Sequence, residues 1–427
     1  MDRCFFCNTA RLVVFLAALL SSELPAADAV SIGNQTFINK GLVGVGRIPA
    51  DLRDKLGETF GSGSGLAADL KTWSRADAGY RGEFFLLPDR GYNVGGTADY
   101  RARLQKLSIA FKPEIDPAAL PVVQRQHGVT ATLIDTIVLT DAAGEPMTGL
   151  DPAEGGIRRA ADGFPDLPEA SNGRVSIDAE SLVVMPDGSF FVGDEYGPYL
   201  YRFSPAGRML SAIRPPDAFI PKRNGNEHFS SNNPGPGAQP PNPQNPQTGR
   251  QNNQGFEGLA ITPGGKFLVA ALQSATRQDG ATSLETRRYT RLLYYDIRDP
   301  GRPLLVREHV VPLPVYEDER GRSRVAAQSE LYALDEGLFL LLCRDSDNGY
   351  GTRGSTSRYR NIEKATSRTR NMTATCRSRH AASSRAASFR RRSPLSSTST
   401  TTLNSIVSAC ITASRTTATI FRKNGKA

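Results

Sequence analysis

Three glutamates, Glu180, Glu257 and Glu330, each stand at the opening of a short apolar run, and in each case a polar cluster closes the next run. The closing clusters are Asp194-Glu195, Gln273-Ser274 and Arg344-Asp345, and a fourth unit, opened by Ser64, closes on Asp89-Arg90. Carboxylates are hard oxygen ligands that suit Ca²⁺ or Mg²⁺. Asp89, Glu180, Asp194, Glu257, Glu330 and Asp345 are therefore the expected metal ligands, with Ca²⁺ the expected cation. A bound divalent cation polarises an ester and acidifies a water; Glu257 or Glu195 is expected to take that water's proton. Arg90 and Arg344 suit oxyanion charge, and Arg90, Asn253 and Arg250 are the expected contacts of a small anionic ester. The competing reading makes the same residues turn acids and ion pairs that tie neighbouring elements together.

The elements that must position these groups recur along the chain. Each unit is an apolar strand, a turn and a second apolar strand, as in Glu180-Ser-Leu-Val-Val-Met185, Pro186-Asp-Gly188 and Ser189-Phe-Phe-Val192. Gly258-Leu-Ala-Ile261, Thr262-Pro-Gly-Gly265 and Lys266 to Ala271 repeat it; so do Leu331 to Leu334, Asp335-Glu-Gly337 and Leu338 to Cys343. Asp-Gly, Gly-Gly and Glu-Gly reach positive φ at low cost between β-branched and aromatic runs, which marks β-hairpins. Further strands are expected at Arg103 to Phe111, Leu200 to Phe203 and Arg291 to Tyr295. Three or four antiparallel strands per unit predict an all-β β-propeller of about six or seven blades, the last one incomplete; a β-sandwich is the alternative. In a hairpin the start of the first strand and the end of the second meet at one end, so radial repetition gathers the charged residues around one mouth of the axial channel.

Composition limits the function classes. The formal charge of +9 is concentrated at the end of the chain: residues 364–427 hold 13 Lys and Arg and no acid, and the first 363 residues carry 39 basic against 43 acidic groups. A nucleic-acid surface is therefore not expected on the body. Of the last 64 residues 24 are Ser or Thr, a composition that buries little apolar surface. The abrupt change inside a strand-like segment is read as out-of-frame translation; a basic arm or a solvated Ser/Thr stalk are the alternatives. At the other end, the apolar run Leu12 to Leu20 is shorter than the roughly 20 residues that span a bilayer. With Ala26-Ala-Asp-Ala29 after it, it reads as a signal peptide over residues 1–29, against an uncut anchor, and no stable membrane insertion is expected. Secretion would make Asn34-Gln-Thr36 a glycan acceptor. Cys343, inside an apolar run, is expected to be a buried, inert thiol. The body, residues 30–363, is expected to act as a secreted monomer.

Taken in order, Ser64-Gly-Leu-Ala67, Leu87-Pro-Asp-Arg-Gly-Tyr-Asn93, Asp178-x-Glu-Ser-Leu182, Gly193-Asp-Glu-Tyr-Gly-Pro198, Asn253-x-Gly-Phe-Glu-Gly-Leu-Ala260, Ala271-Leu-Gln-Ser274, Ser329-Glu-Leu331 and Cys343-Arg-Asp345 resemble the phytase-like family, described by an esterase-like activity of phytase. The resemblance runs from about Gly41 to Glu363 and implies a secreted β-propeller that hydrolyses phosphate or other esters. A non-catalytic propeller binding module and a propeller lactonase stay open as other functions. Other phosphatase chemistries lack their residues. Arg125-Gln-His-Gly-Val129 does not make the histidine-phosphatase motif, four histidines are too few for a dinuclear purple-type site, and Cys343-Arg-Asp345 lacks a phosphate loop. Gly61-Ser-Gly-Ser-Gly65 places Gly where G-x-S-x-G needs its nucleophile. The Pro-, Asn- and Gln-rich stretch from Lys222 to Gln254 is expected to be a lid or a solvated insertion, offering Lys222, Arg223, His228 and Arg250 to an anion.

Overall fold

The computed structural model describes residues 29–32, 35–38, 43–49, 51–61, 63–76, 79–90, 97–113, 128–152, 156–231, 239–280, 287–317, 321–344, 363–365 and 409–412. The chain forms two compact units, Met1–Gly41 and Leu42–Ala427. In the first, Ala29–Ile32 pairs with Gln35–Ile38. Asn34, the expected signal peptide up to residue 28 and most of the expected tail lie outside the described residues. Of that tail, Lys364 and Ala365 end a short strand, and Ala409–Thr412 pairs in parallel with Gly44–Arg47.

The second unit is a β-propeller built from sequential antiparallel sheets. Blade 1 is Gly63–Ala76, Gly79–Pro88, Arg103–Phe111 and Val129–Val138; blade 2 is Ala179–Val184, Phe190–Asp194, Leu200–Phe203 and Met209–Ile213. Blade 3 is Phe256–Ile261, Phe267–Leu272, Tyr289–Asp296 and Leu304–Pro312. Blade 4 has three described strands, Ala327–Asp335, Leu338–Arg344 and Glu363–Ala365. These four are the blades among the described residues. Strand order follows chain order in every blade, and the first strand of each blade packs on the first strand of the next. The first strands are thus innermost.

Both faces of the inner strands of blades 2 and 3 are buried, which explains their unbroken apolar runs. Along the second strand of blade 3, Phe267, Val269 and Ala271 enter the core shared with Leu331, Phe339 and Leu341 of blade 4. The alternate residues Leu268, Ala270 and Leu272 enter the core shared with Phe191 and Leu200 of blade 2. Period-two alternation therefore divides one strand between two interfaces, each large side chain contributing about 2 kcal/mol. Blade 2 meets blade 1 in the same way, through Phe190, Val192, Tyr201 and Phe203 against Leu87 and Leu104. Turns match the sequence reading: Gly188 and Gly264 sit at φ 84° and 91°. Cys343 is half-buried, so the fully buried thiol expected there is corrected. Among the described residues its strand has a short third partner, Glu363–Ala365.

Candidate functional site

A β-bulge at one register position in every blade aims the site residues. In blade 2 the pairs Ala179–Asp194 and Ser181–Gly193 leave Glu180 as the extra residue. In blade 3, Phe256–Leu272 and Gly258–Ala271 leave Glu257. Blade 1 leaves Ser64 and blade 4 leaves Ser329. Bulges of this kind re-aim a side chain at a rim, and here they turn two glutamates inward. Asp89, Glu195, Gln273 and Arg344 each follow the second-strand residue paired just ahead of the bulge, and Arg344 alone is itself paired, with Ala327. Ring positions thus alternate between strand entry and strand exit.

Glu180, Glu195 and Glu257, all fully buried, bring carboxylate oxygens within 4.8 Å of one another. Asp89, Asp178 and Glu180 form a second group on the same limit, so Glu180 belongs to both. Close approach of the strands depends on small residues: a Cβ on Gly255 would stand 2.5 Å from the Glu195 Cα, and one on Gly258 2.7 Å from Gln328 Oε1. Glu330, expected beside Glu180 and Glu257, stands one register position off, opposite Leu342, and its Oε1 accepts the Leu331 amide at 2.9 Å. A one-residue offset in a strand turns the side chain to the other face. Its ring position belongs to Ser329.

Asp194 also stands apart from both groups. Its Oδ1 accepts the Asp178 and Tyr196 amides at 2.9 Å and its Oδ2 the Gly197 amide at 2.8 Å. It holds the exit loop that presents Glu195. Arg90 is buried beneath the ring, with Nε 3.4 Å from Asp178 Oδ2, Nη1 donating to Tyr196 Oη at 3.0 Å and Nη2 to Asn253 Oδ1 at 3.3 Å. Burial works against its charge, but Asp178 and Tyr196 outweigh burial and raise its pKa. Asn253, at φ 51°, is that arginine's acceptor. Arg250 is fully buried and donates to the carbonyl oxygens of Tyr196, Gln251 and Phe229. All three residues expected to touch substrate have protein partners. Arg344 ends its strand with only its backbone described, and Asp345 lies outside the described residues.

Residues 59–394 match the phytase-like family, "Esterase-like activity of phytase". The chain belongs to that family. Over 364 residues the phytase-like chain is 40% identical to an uncharacterized secreted protein of Arthroderma benhamiae, covering 80% of this chain and 70% of that relative. Among solved structures it is similar to the β-propeller domain of Myceliophteria thermophila Cps50 (Swd1), with 11% identity, 66% and 79% of the two chains covered and a TM-score of 0.23. A periplasmic gluconolactonase of Pseudomonas aeruginosa gives 13% identity, 69% and 70% coverage and a TM-score of 0.23. At such scores the propeller assignment rests on the strand pairing above. No helix among the described residues is long and apolar enough to cross a membrane.

In this phytase-like chain the stretch from Lys222 to Gln254, whose residues 232–238 are not described, is a folded insertion. Arg223 organises it, donating to the carbonyl oxygens of Pro243, His228, Ser230 and Gln244 and to Asn252 Oδ1. Burial, with Arg250 nearby, pulls its pKa down to about 10. Arg223 and Arg250 thus fix the insertion from inside. Sequence reasoning also passed over Asp178 and Gln273 as site residues, although both lie in the quoted motifs; the signal was their register beside Glu180 and Glu257.

Burial raises the Asp194 pKa from 3.8 to about 6, against three backbone amides and Arg250 that lower it. The native state therefore keeps a proton that the unfolded chain releases at about pH 4. Stability contributed by this group is present in acid and falls as pH rises through about 4 to 6, by up to about 3 kcal/mol. Urea midpoints across that window should decline for the wild type and decline less for Asp194→Asn. Equal slopes would place the titration elsewhere.

Proposed function

We propose that the protein is a secreted hydrolase of small anionic esters, phosphate esters foremost, acting at Glu180, Glu195 and Glu257 around a divalent cation. The observation that carries this reading is the convergence of three fully buried carboxylates from blades 2 and 3 within 4.8 Å. The donor set fits Ca²⁺, being all hard oxygen. A neutral oxygen supports it: Gln273 is 3% exposed, its Nε2 donates to Glu257 Oε1, and its own Oε1 has no hydrogen-bond partner. When bound, the cation would polarise the ester oxygen and lower the pKa of a water. Gln273 orients Glu257, leaving it or Glu195 to take the water's proton. Arg250, whose charge acts on Glu195, moderates the repulsion inside the group. Arg90 holds Asp178 and so serves as a positioning residue.

Full burial of the three glutamates favours a second reading, in which the cation fastens blades 2 and 3 without turnover. Phosphate release from a phosphomonoester, and acid release from a carboxyl ester and a lactone, should be assayed with Ca²⁺, Mg²⁺ and Mn²⁺ from acid to neutral pH. The hydrolase reading predicts cation-dependent phosphate release that Glu257→Ala reduces. No release under any condition would remove it and leave the fastening role. Acid from the lactone alone would move the substrate to that class.

A further inference from the structure

Blade 3 carries cations at the end that bears the ring. Beyond Gln273 the chain reaches Ala275, whose amide donates to the Arg287 carbonyl at 3.3 Å. The short helix Arg277–Gly280 follows at once, its first amide donating to the Gly249 carbonyl at 2.7 Å, and the Leu313 amide donates to the Arg288 carbonyl at 2.6 Å. These bonds hold the backbone of Arg277, Arg287 and Arg288 near the exit of the strand that leads into Gln273. The acid between them is engaged: Asp279 Oδ2 accepts Arg291 Nε at 2.6 Å and the Thr276 hydroxyl at 2.8 Å.

Arg277 and Arg288 are half-buried, and the Nε of each is shielded from solvent without a hydrogen-bond partner. Neither side chain makes an ion pair with a described residue; Arg288 has only the Tyr289 ring, 5.8 Å from its Cζ. A shielded donor without an acceptor is costly, and a guanidinium matches a tetrahedral oxyanion in geometry and charge. Arg90 and Arg250, which also lie at this end, are committed to internal partners. We propose that Arg277 and Arg288 form an oxyanion-binding site that receives the phosphoryl group of the substrate, giving anionic esters preference over neutral ones. The binding site stands on its own observations; only its part in turnover rests on the hydrolase reading.

The test is calorimetric titration of the full chain with inorganic phosphate, for the wild type, Arg277→Gln, Arg288→Gln, the double variant and, as control, Arg302→Gln at an exposed turn away from the patch. Expected are saturable binding to the wild type, a loss of about tenfold in each single variant, a larger loss in the double variant, and an unchanged control. If the double variant does not fold, the single variants decide. Absence of phosphate binding to the wild type, or equal affinity in the wild type and both single variants, overturns the site. If turnover is present, the single variants should raise KM for a phosphomonoester about tenfold with kcat little changed, and leave KM for a neutral ester alone. Phosphate binding without turnover would retain the site and remove only the hydrolase reading.

Discussion

EDTA is expected to lower the melting temperature by several degrees and to stop ester hydrolysis, and added Ca²⁺ to restore both. Two unit charges within 4.8 Å repel by about 3 kcal/mol at an effective dielectric near 20. Three such pairs among Glu180, Glu195 and Glu257 strain the interface of blades 2 and 3 unless positive charge stands among them. A cation that binds only the native state at a hundredfold excess over its Kd adds about 2.7 kcal/mol. Glu180→Gln makes the prediction sharper, because Glu180 belongs to both carboxylate groups. Removing its charge relieves repulsion and weakens the cation site together. The variant should therefore melt above the wild type in EDTA and below it in Ca²⁺, with activity lost in both. Melting curves that ignore EDTA and Ca²⁺ would sink the cation reading, and curves for the two proteins that never cross would remove Glu180 from it.

Much of the architecture was legible because propeller strands alternate between two buried interfaces and their turns need glycine. Glu180 and Glu257 could be read from the same evidence, since each precedes a core leucine, Leu182 or Leu259, by two residues. Glu330 precedes Leu331 directly. Measuring from the leucine, which fixes register through burial, would have selected Ser329 instead. Arginine roles were not legible. Arg90, Arg223 and Arg250 are of the residue type that recognises anions, and only the fold reveals that carbonyl oxygens and Asp178 already surround them. The insertion misled for the same reason: its Pro, Asn and Gln content excludes regular structure but says nothing of an internal arginine that collects its carbonyls.

Arg250→Ala is expected to destabilise the protein by about 3–5 kcal/mol, the range for removing one partner of a buried charge system. Arg250 is fully buried, and its three nitrogens reach Tyr196 O at 2.9 Å, Gln251 O at 3.1 Å and Phe229 O at 2.5 Å. Each carbonyl would lose its donor where water has little room to replace it, at about 1 kcal/mol apiece. Glu195 would also lose the positive charge that acts on it. Burial disfavours the arginine's charge and the neighbouring carboxylates only partly offset this, so its pKa is lowered; the interaction is expensive to assemble and more expensive to break. Arg250→Lys should recover little, because a single ammonium cannot reproduce a planar fork aimed at three acceptors. Arg250→Met, of similar length and without donors, should resemble alanine in urea midpoint while retaining more of the packing. The insertion around Arg223 should then open first, detected as proteolysis between residues 222 and 254 at denaturant concentrations where the blades persist. A loss below about 1 kcal/mol, within the range of exposed pairs, would return Arg250 to the role its sequence suggested, a side chain free to meet an anion.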